Sequence, residues 1–330
     1  MGAIAQDTTM AVPRFHVLTI ADIRRETQDA VSLAFTVPPK LRTAYTYQPG
    51  QYVTLRATID GEDVRRSYSI CSGLDDGELR VVVKRVADGA FSNWVHDSLR
   101  TGDDIAVMTP GGRFGVPIEP GSTRSLVAFV AGSGVTPVMA ILKTVLTREA
   151  GRFFLFYGNR DSNSIIFREQ LEDLKDRYMS RLSVFHVLSR EQQDIAVLNG
   201  HLDAEKVGLL IRTMVPRDVT HAFICGPQPM IEGLPGGLAG QGMDPARIHV
   251  ERFTPGVGGR PRPVIVQPTA PANAIVTATS DGVRSDIPVA EGEAIIDAAI
   301  AQDAPCPIRA RAACAPPAVR GCWKAASRWR

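Results

Sequence analysis

Four consecutive residues, Arg66-Ser67-Tyr68-Ser69, carry the functional groups a flavin needs. A guanidinium neutralises a phosphate, an aromatic ring lies on a flat heterocycle, and a small hydroxyl hydrogen-bonds its edge. Gly89-Ala90-Phe91-Ser92 follows about twenty residues later and adds a turn with another hydroxyl. The same quartet also fits a plain strand end with a core tyrosine, because a short motif acquires meaning only from its structural context.

A second set has the chemistry of a nucleotide site. Gly132-Ser133-Gly134-Val135-Thr136-Pro137 joins an apolar run to a helical pattern. Glycines let the backbone approach a pyrophosphate, and a helix N-terminus offers unpaired N–H donors. Thr136 and Pro137 are predicted as N-cap and first helical residue. After the next apolar run, where an acid commonly grips a ribose hydroxyl, stand Tyr157-Gly158-Asn159-Arg160. An arginine there favours a 2′-phosphate, and so NADPH with NADH possible, although a solvated surface arginine fits equally well. Cys225-Gly226-Pro227 and Glu251-Arg252-Phe253 close the last two apolar runs. Ligands of open α/β sheets bind beyond the carboxyl ends of the strands, which puts both near a nicotinamide. Cys225 otherwise reads as a small buried hydrophobe. His186, His201, His221 and His249 are scattered without ligand-like pairing and read as structural or surface residues.

The elements that must position these groups fall into blocks. From Phe15 to about Ile118, alternating runs such as FHVLTIADI, AVSLAFTV, QYVTLRAT and LRVVVKRV are separated by turn signals, with one helix-like stretch, FSNWVHDSL. That spacing predicts a small antiparallel β-barrel over 14–121. From Ser125 to Phe253, apolar runs alternate with helical patterns at 137–148, 164–178, 202–213 and 228–240, which predicts an α/β domain with a parallel sheet over 122–253. Residues 254–271 hold five Pro and three Gly, an extended linker. AIVTAT, Ser280-Asp281-Gly282 and RSDIPV then read as a hairpin, and EGEAIIDAAIAQ as an amphipathic helix.

Composition bounds the rest. The chain has 330 residues, 44% hydrophobic and 22% charged, with a net charge of +2. It is too apolar to be disordered, and the charge gives no sign of a nucleic-acid partner. No apolar run is long enough to span a bilayer, so no membrane association is predicted. Residues 1–13 lack the basic start and apolar stretch of a secretory signal and read as a disordered N-terminus. Five cysteines, an odd number, point to a reducing cytoplasm rather than a disulfide framework. The tail from Cys306 to Arg330 has five Arg, one Lys and no acid, while the rest of the chain is net acidic.

In their order and spacing over roughly residues 14–253, these motifs resemble the ferredoxin–NADP reductase superfamily, and the C-terminal hairpin resembles a plant-type ferredoxin domain fused behind it. DGEDVRRSYSICSG, FYGNR, AFICGPQPM and IHVERF are most similar to the reductases of the phenylacetyl-CoA epoxidase type. The resemblance implies FAD against Tyr68, with Ser69 near the flavin N5 and Arg66 on its pyrophosphate. Val83, Lys84, Gly89, Phe91 and Ser92 complete that site. Gly132, Gly134, Thr136, Asn159, Arg160, Gly226 and Pro227 would hold the nicotinamide dinucleotide. Cys225 and Glu251 would lie by the nicotinamide as catalytic residues with Ser69, and Phe253 near the flavin. Electrons would pass from NAD(P)H to FAD, then to a 2Fe-2S cluster, and on to the oxygenase component of a multicomponent di-iron enzyme. The fold implied is multidomain: the FAD barrel, the α/β NAD(P) domain and a truncated β-grasp ferredoxin-like domain over 272–305.

The tail departs from that pattern. A plant-type cluster needs thiolates at C-x4-C-x2-C plus a distant cysteine, whereas Cys306, Cys314 and Cys322 are spaced eight apart. No metal-ligating set is therefore expected in this chain. A one-base slip near Pro307 lets the codons of Ala310, Ala315 and Ala318 supply cysteines at the required spacing. On that reading, residues 306–330 are an out-of-frame version of a lost cluster loop.

Overall fold

The computed structural model describes residues 14–253, 274–280, 283–289 and 298. The first unit contains β1 (Phe15–Thr27), β2 (Ala30–Thr36), β3 (Tyr52–Ile59), β4 (Glu62–Ser69), β5 (Leu79–Lys84), α1 (Ala90–Asp97) and β6 (Asp104–Met108). These strands form an antiparallel sheet in the order β4-β3-β6-β1-β2-β5. A bridge between Ile70 and Val81, with the Cys71 N–H donating to the Arg80 carbonyl at 2.9 Å, joins β5 to the chain leaving β4 and curls the sheet closed. Period-two alternation puts Leu18, Ile20, Leu33, Leu55, Val81 and Val83 into one core, capped by Phe91 of α1. Asp60 and Gly61, both at positive φ, make the tight β3–β4 turn.

β2 is buried on both faces, and the reason is its neighbour. Val31, Leu33 and Phe35 face the barrel interior, while Ala30, with Val82 of β5 and Phe114, joins the core of the second unit. The two units therefore share an apolar seam.

The second unit runs β7 (Ser125–Ala131), α2 (Val135–Arg148), β8 (Phe153–Asn159), α3 (Arg168–Arg177), β9 (Leu182–Leu188), α4 (Ala204–Met214), β10 (Val219–Cys225), α5 (Gln228–Gly240) and β11 (Ile248–Glu251). Its parallel sheet has the order β11-β10-β7-β8-β9. Helices cover it, so β7 and β8 are apolar along nearly their whole length. Phe129, Phe156 and Phe185 stack across three neighbouring strands at 5.1 and 4.9 Å.

Three local expectations need correction. Thr136 is not the N-cap of α2: a 3-10 turn over Gly132–Gly134 runs straight into the helix, and the Thr136 hydroxyl donates back to the Ser133 carbonyl at 2.9 Å. The helix expected from 164 starts only at Arg168, because Asp161 caps a separate 3-10 turn over Ser162–Ser164 and Phe167 takes φ of 64°. His221 and His249 are not scattered. Their rings stack at 5.4 Å, and Phe223 stacks on His249 at 5.0 Å.

β12 (Ala274–Ser280) and β13 (Val283–Val289) form the expected antiparallel hairpin, with Ser280 opposite Val283. Val276, Ile287 and Val289 pack with Ala298. The N-terminal thirteen residues, the linker, the Asp281-Gly282 turn, nearly all of the helix expected after the hairpin and the basic tail lie outside the described residues. Among the described residues, no helix is long and apolar enough to cross a membrane.

Candidate functional site

A cleft of about 1800 Å³ runs between the barrel and the carboxyl ends of the parallel strands. β4 delivers Arg66, Tyr68 and Ser69 to its wall, because the strand's last residues reach the open end of the barrel. Tyr68 packs on Phe91 with ring centroids 5.9 Å apart, and burial pushes its phenol well above the usual range. The ring is thus a neutral, supported apolar plate.

Gly89, Phe91 and Ser92 bring the start of α1 to the same wall. The Ser92 hydroxyl accepts from the Val86 N–H and donates to the Gly89 carbonyl, both at 3.1 Å. A Cβ on Gly89 would stand 2.7 Å from that hydroxyl oxygen, so the turn leaves no room for a side chain. The free N–H groups of a helix start suit a phosphate.

The opposite wall is the strand–helix loop after β7. Gly132 takes φ of +54°, a conformation glycine tolerates, and its carbonyl accepts from the Tyr157 hydroxyl at 3.0 Å. A Cβ on Gly134 would overlap the Cys225 carbonyl, and one on Gly226 would stand 2.5 Å from the Met230 methyl. The loop therefore lies directly on the end of β10, which is the close approach a pyrophosphate cradle requires. Thr136, Gly226, Pro227 and Phe253 complete this side. Asn159 also lines the cleft, and its Nδ2 is buried without a hydrogen-bond partner, an arrangement that suits a polar ligand.

Arg160 lines the cleft too, but half exposed and 3.1 Å from Asp29 of the barrel. Lys84 approaches the same carboxylate to 3.6 Å. Burial works against the charge on Asp29, yet the Thr27 hydroxyl, Lys84 and Arg160 together hold its carboxyl below the usual range.

Three of the expected site residues do not line the cleft. Val83 is fully buried in the barrel core, with its carbonyl 3.1 Å from a ring nitrogen of His96. Cys225 is fully buried, and burial, then the Glu251 charge, push its thiol far up, so it is a neutral thiol. Glu251 pairs with Cys225 in register across β10 and β11. Other lining residues carried no motif in the sequence: Ser189 after β9, and His201 and Asp203 before α4. The rule that ligands gather beyond strand ends points to them, since LSVFHVL reads as a strand.

For an iron–sulfur cluster, no group of three or more His, Cys, Asp or Glu suited to a metal occurs among the described residues. Cys71 and Cys225 are both buried, and the Cys71 thiol donates to the Arg80 carbonyl. These do not fit a cluster; Cys306, Cys314 and Cys322 lie outside the described residues.

Residues 17–115 match the oxidoreductase FAD-binding domain, and residues 129–235 match the oxidoreductase NAD-binding domain. One component of the 1,2-phenylacetyl-CoA epoxidase of Escherichia coli is 41% identical over 89% of this chain and 82% of its own length. The chain belongs to the ferredoxin–NADP reductase family of FAD- and NAD-binding oxidoreductases. Another relative, the ferredoxin reductase component of 3-ketosteroid-9-alpha-monooxygenase from Rhodococcus rhodochrous, is 38% identical over 74% of this chain and 68% of its own. Among solved structures, the FAD/NAD-binding domain of the Vibrio cholerae nitric oxide dioxygenase superposes with a TM-score of 0.60 at 25% identity, covering 72% of this chain and 98% of that one. The Neisseria gonorrhoeae ferredoxin NADP+ reductase shares the fold at 21% identity, with a TM-score of 0.60 over 72% of this chain and 98% of its own. This family member is an oxidoreductase with an FAD-binding antiparallel unit and an NAD(P)-binding parallel one.

Proposed function

We propose that this chain is the NAD(P)H-dependent flavin reductase of a multicomponent oxygenase, of the phenylacetyl-CoA epoxidase kind and serving phenylacetate degradation in the cytoplasm. The observation that carries the proposal is the single cleft in which Tyr68 and Ser69 stand on one wall and Gly132 and Gly134 on the other. FAD held there would supply the exchange between a hydride pair and single electrons. The chain's own residues do the holding. Tyr68 and Phe91 would support the ring system, Ser69 would hydrogen-bond its edge, and Arg66, Lys84 and the Gly89–Ser92 turn would take the phosphates.

On the other side, Gly132, Gly134 and Thr136 seat the dinucleotide, while Asn159 and Arg160 reach its ribose and 2′-phosphate. Gly226 and Pro227 bound the nicotinamide. Cys225 and Glu251 act from directly behind them, and Val83 backs the flavin wall. Phe253, which lines the cleft and packs against the core, would cover the flavin and exclude water from the transfer. The domain bounds we adopt are 14–121 and 122–253, followed by a linker and a truncated ferredoxin-like remnant over 272–305.

The oxygenase partner is a di-iron component, and the tail after Pro305 is an out-of-frame sequence that leaves this chain without cluster ligands. An external acceptor would then have to take the electrons in place of a cluster. A second reading, reductase of a ketosteroid or aromatic-ring oxygenase, draws on the 38% identity to the ketosteroid system. A third is the inert product of a damaged gene. The purified full chain tests these: a flavin spectrum, NADPH–ferricyanide activity and no stoichiometric iron are expected, and a colourless, inactive protein overturns the proposal. Reconstitution with each candidate oxygenase separates the clients. Coding DNA whose codons at Ala310, Ala315 and Ala318 cannot yield cysteine after a one-base shift removes the frame-slip reading.

A further inference from the structure

Asp29 sits in the turn between β1 and β2, on the barrel side of the seam, and does not itself line the cleft. Its carboxylate Oδ1 accepts from the Thr27 hydroxyl of its own turn at 2.8 Å, and its backbone carbonyl accepts from the Arg85 N–H, just after β5, at 2.6 Å. The remaining oxygen, Oδ2, takes Arg160 Nη2 at 3.1 Å and Lys84 Nζ at 3.6 Å. An anion anchored on one unit thus occupies the cation that the other unit presents to the cleft.

We propose that Asp29 is a specificity-determining residue, an internal anion that competes for Arg160 with the 2′-phosphate of NADPH and so shifts the preference towards NADH. The inference rests on the reading of Arg160 as a 2′-phosphate partner. A guanidinium recognises phosphate best through a free fork of two N–H donors. With one arm on Asp29, Arg160 must either release the carboxylate or hold phosphate beside it, where like charges repel. Both routes weaken NADPH. Neither touches NADH, which has a neutral hydroxyl at that position. Because Arg160 is half exposed, solvent screens the pair and the discrimination is modest, about two- to fivefold.

The test uses the FAD-loaded full chain with ferricyanide as acceptor, comparing kcat/KM for NADPH and NADH in wild type, Asp29→Asn, Arg160→Gln and the double variant. Asparagine keeps an acceptor for Thr27, so the turn is retained, and an unchanged Tm verifies it. Asp29→Asn is expected to raise the NADPH-to-NADH ratio about two- to fivefold with NADH kinetics unchanged, and Arg160→Gln is expected to abolish that gain in the double variant. An unmoved ratio in Asp29→Asn, or the same gain in the Arg160→Gln background, overturns the proposal. If Arg160→Gln alone leaves the ratio unmoved, the 2′-phosphate reading itself falls with it. If Arg160→Gln lowers the ratio while Asp29→Asn does nothing, only the competition is refuted.

Discussion

The Tyr157 hydroxyl donates to the Gly132 carbonyl at 3.0 Å and accepts the Ile166 N–H at 3.3 Å. One fully buried phenol on β8 therefore ties the first glycine of the nucleotide loop, which is held at positive φ, to the segment leading into α3. Burial pushes that phenol well above its usual range, so it remains a donor at every working pH.

Tyr157→Phe keeps the ring and leaves the part-buried Gly132 carbonyl and the buried Ile166 N–H without their partner. Such orphaned groups cost about 1–3 kcal/mol. The expected outcome is a lower Tm by differential scanning fluorimetry and a raised KM for NAD(P)H, with kcat at saturation largely retained.

Gly134→Ala forces a methyl onto the Cys225 backbone carbonyl, which cannot swing away as a side chain end would. Overpacking of this kind costs about 1–3 kcal/mol and displaces the loop. The variant should purify yellow yet show little NADPH–ferricyanide turnover; full turnover would mean that the loop does not seat the nucleotide.

Tyr68→Ala removes the plate supported by Phe91 on the barrel wall of the cleft. Losing that buried contact should weaken FAD by about 2 kcal/mol, more than tenfold in affinity. Flavin content per chain after dialysis reads the effect directly, and stoichiometric retention would remove Tyr68 from the site.

The His221–His249 stack makes acid stability a test. Burial first, then His249, Arg124 and Arg247, hold His221 down to about 4, with Glu119 opposing; burial also lowers His249. A histidine with a depressed folded pKa binds fewer protons folded than unfolded between about pH 4 and the unfolded value of about 6.5. Stability is therefore full above about pH 6.5 and is lost as the pH falls towards 4. Tm measured across that window should drop less steeply in His221→Gln than in wild type.

Much of the architecture was legible in the residues. FHVLTIADI and AVSLAFTV alternate and became β1 and β2, and LVAFVA is uniformly apolar because helices cover both faces of β7. Glycines 132 and 134 marked the loop because one takes positive φ and the other's missing side chain is a packing requirement, both visible in one dimension. What escaped was set by three-dimensional neighbours. Thr136 looked like a cap, yet the preceding 3-10 turn had already started the helix. Cys225 and Glu251 sit at strand ends as expected, but neither lines the cleft, and Cys225 is fully buried beneath the loop folded over β10. Asp29 carried no local signal, since its partner is 131 residues away in the chain.

The barrel's strand order has a bearing on biosynthesis. β6, the last strand made, wedges between β1 and β3, pairing with both. Until residues 104–108 have left the ribosome, the nascent polypeptide exposes two unpaired strand edges separated by a gap, the kind of surface that attracts chaperones or illicit partners. Translational pausing before that point would prolong the hazard, whereas pausing after it would give the finished barrel time to close before the parallel sheet emerges.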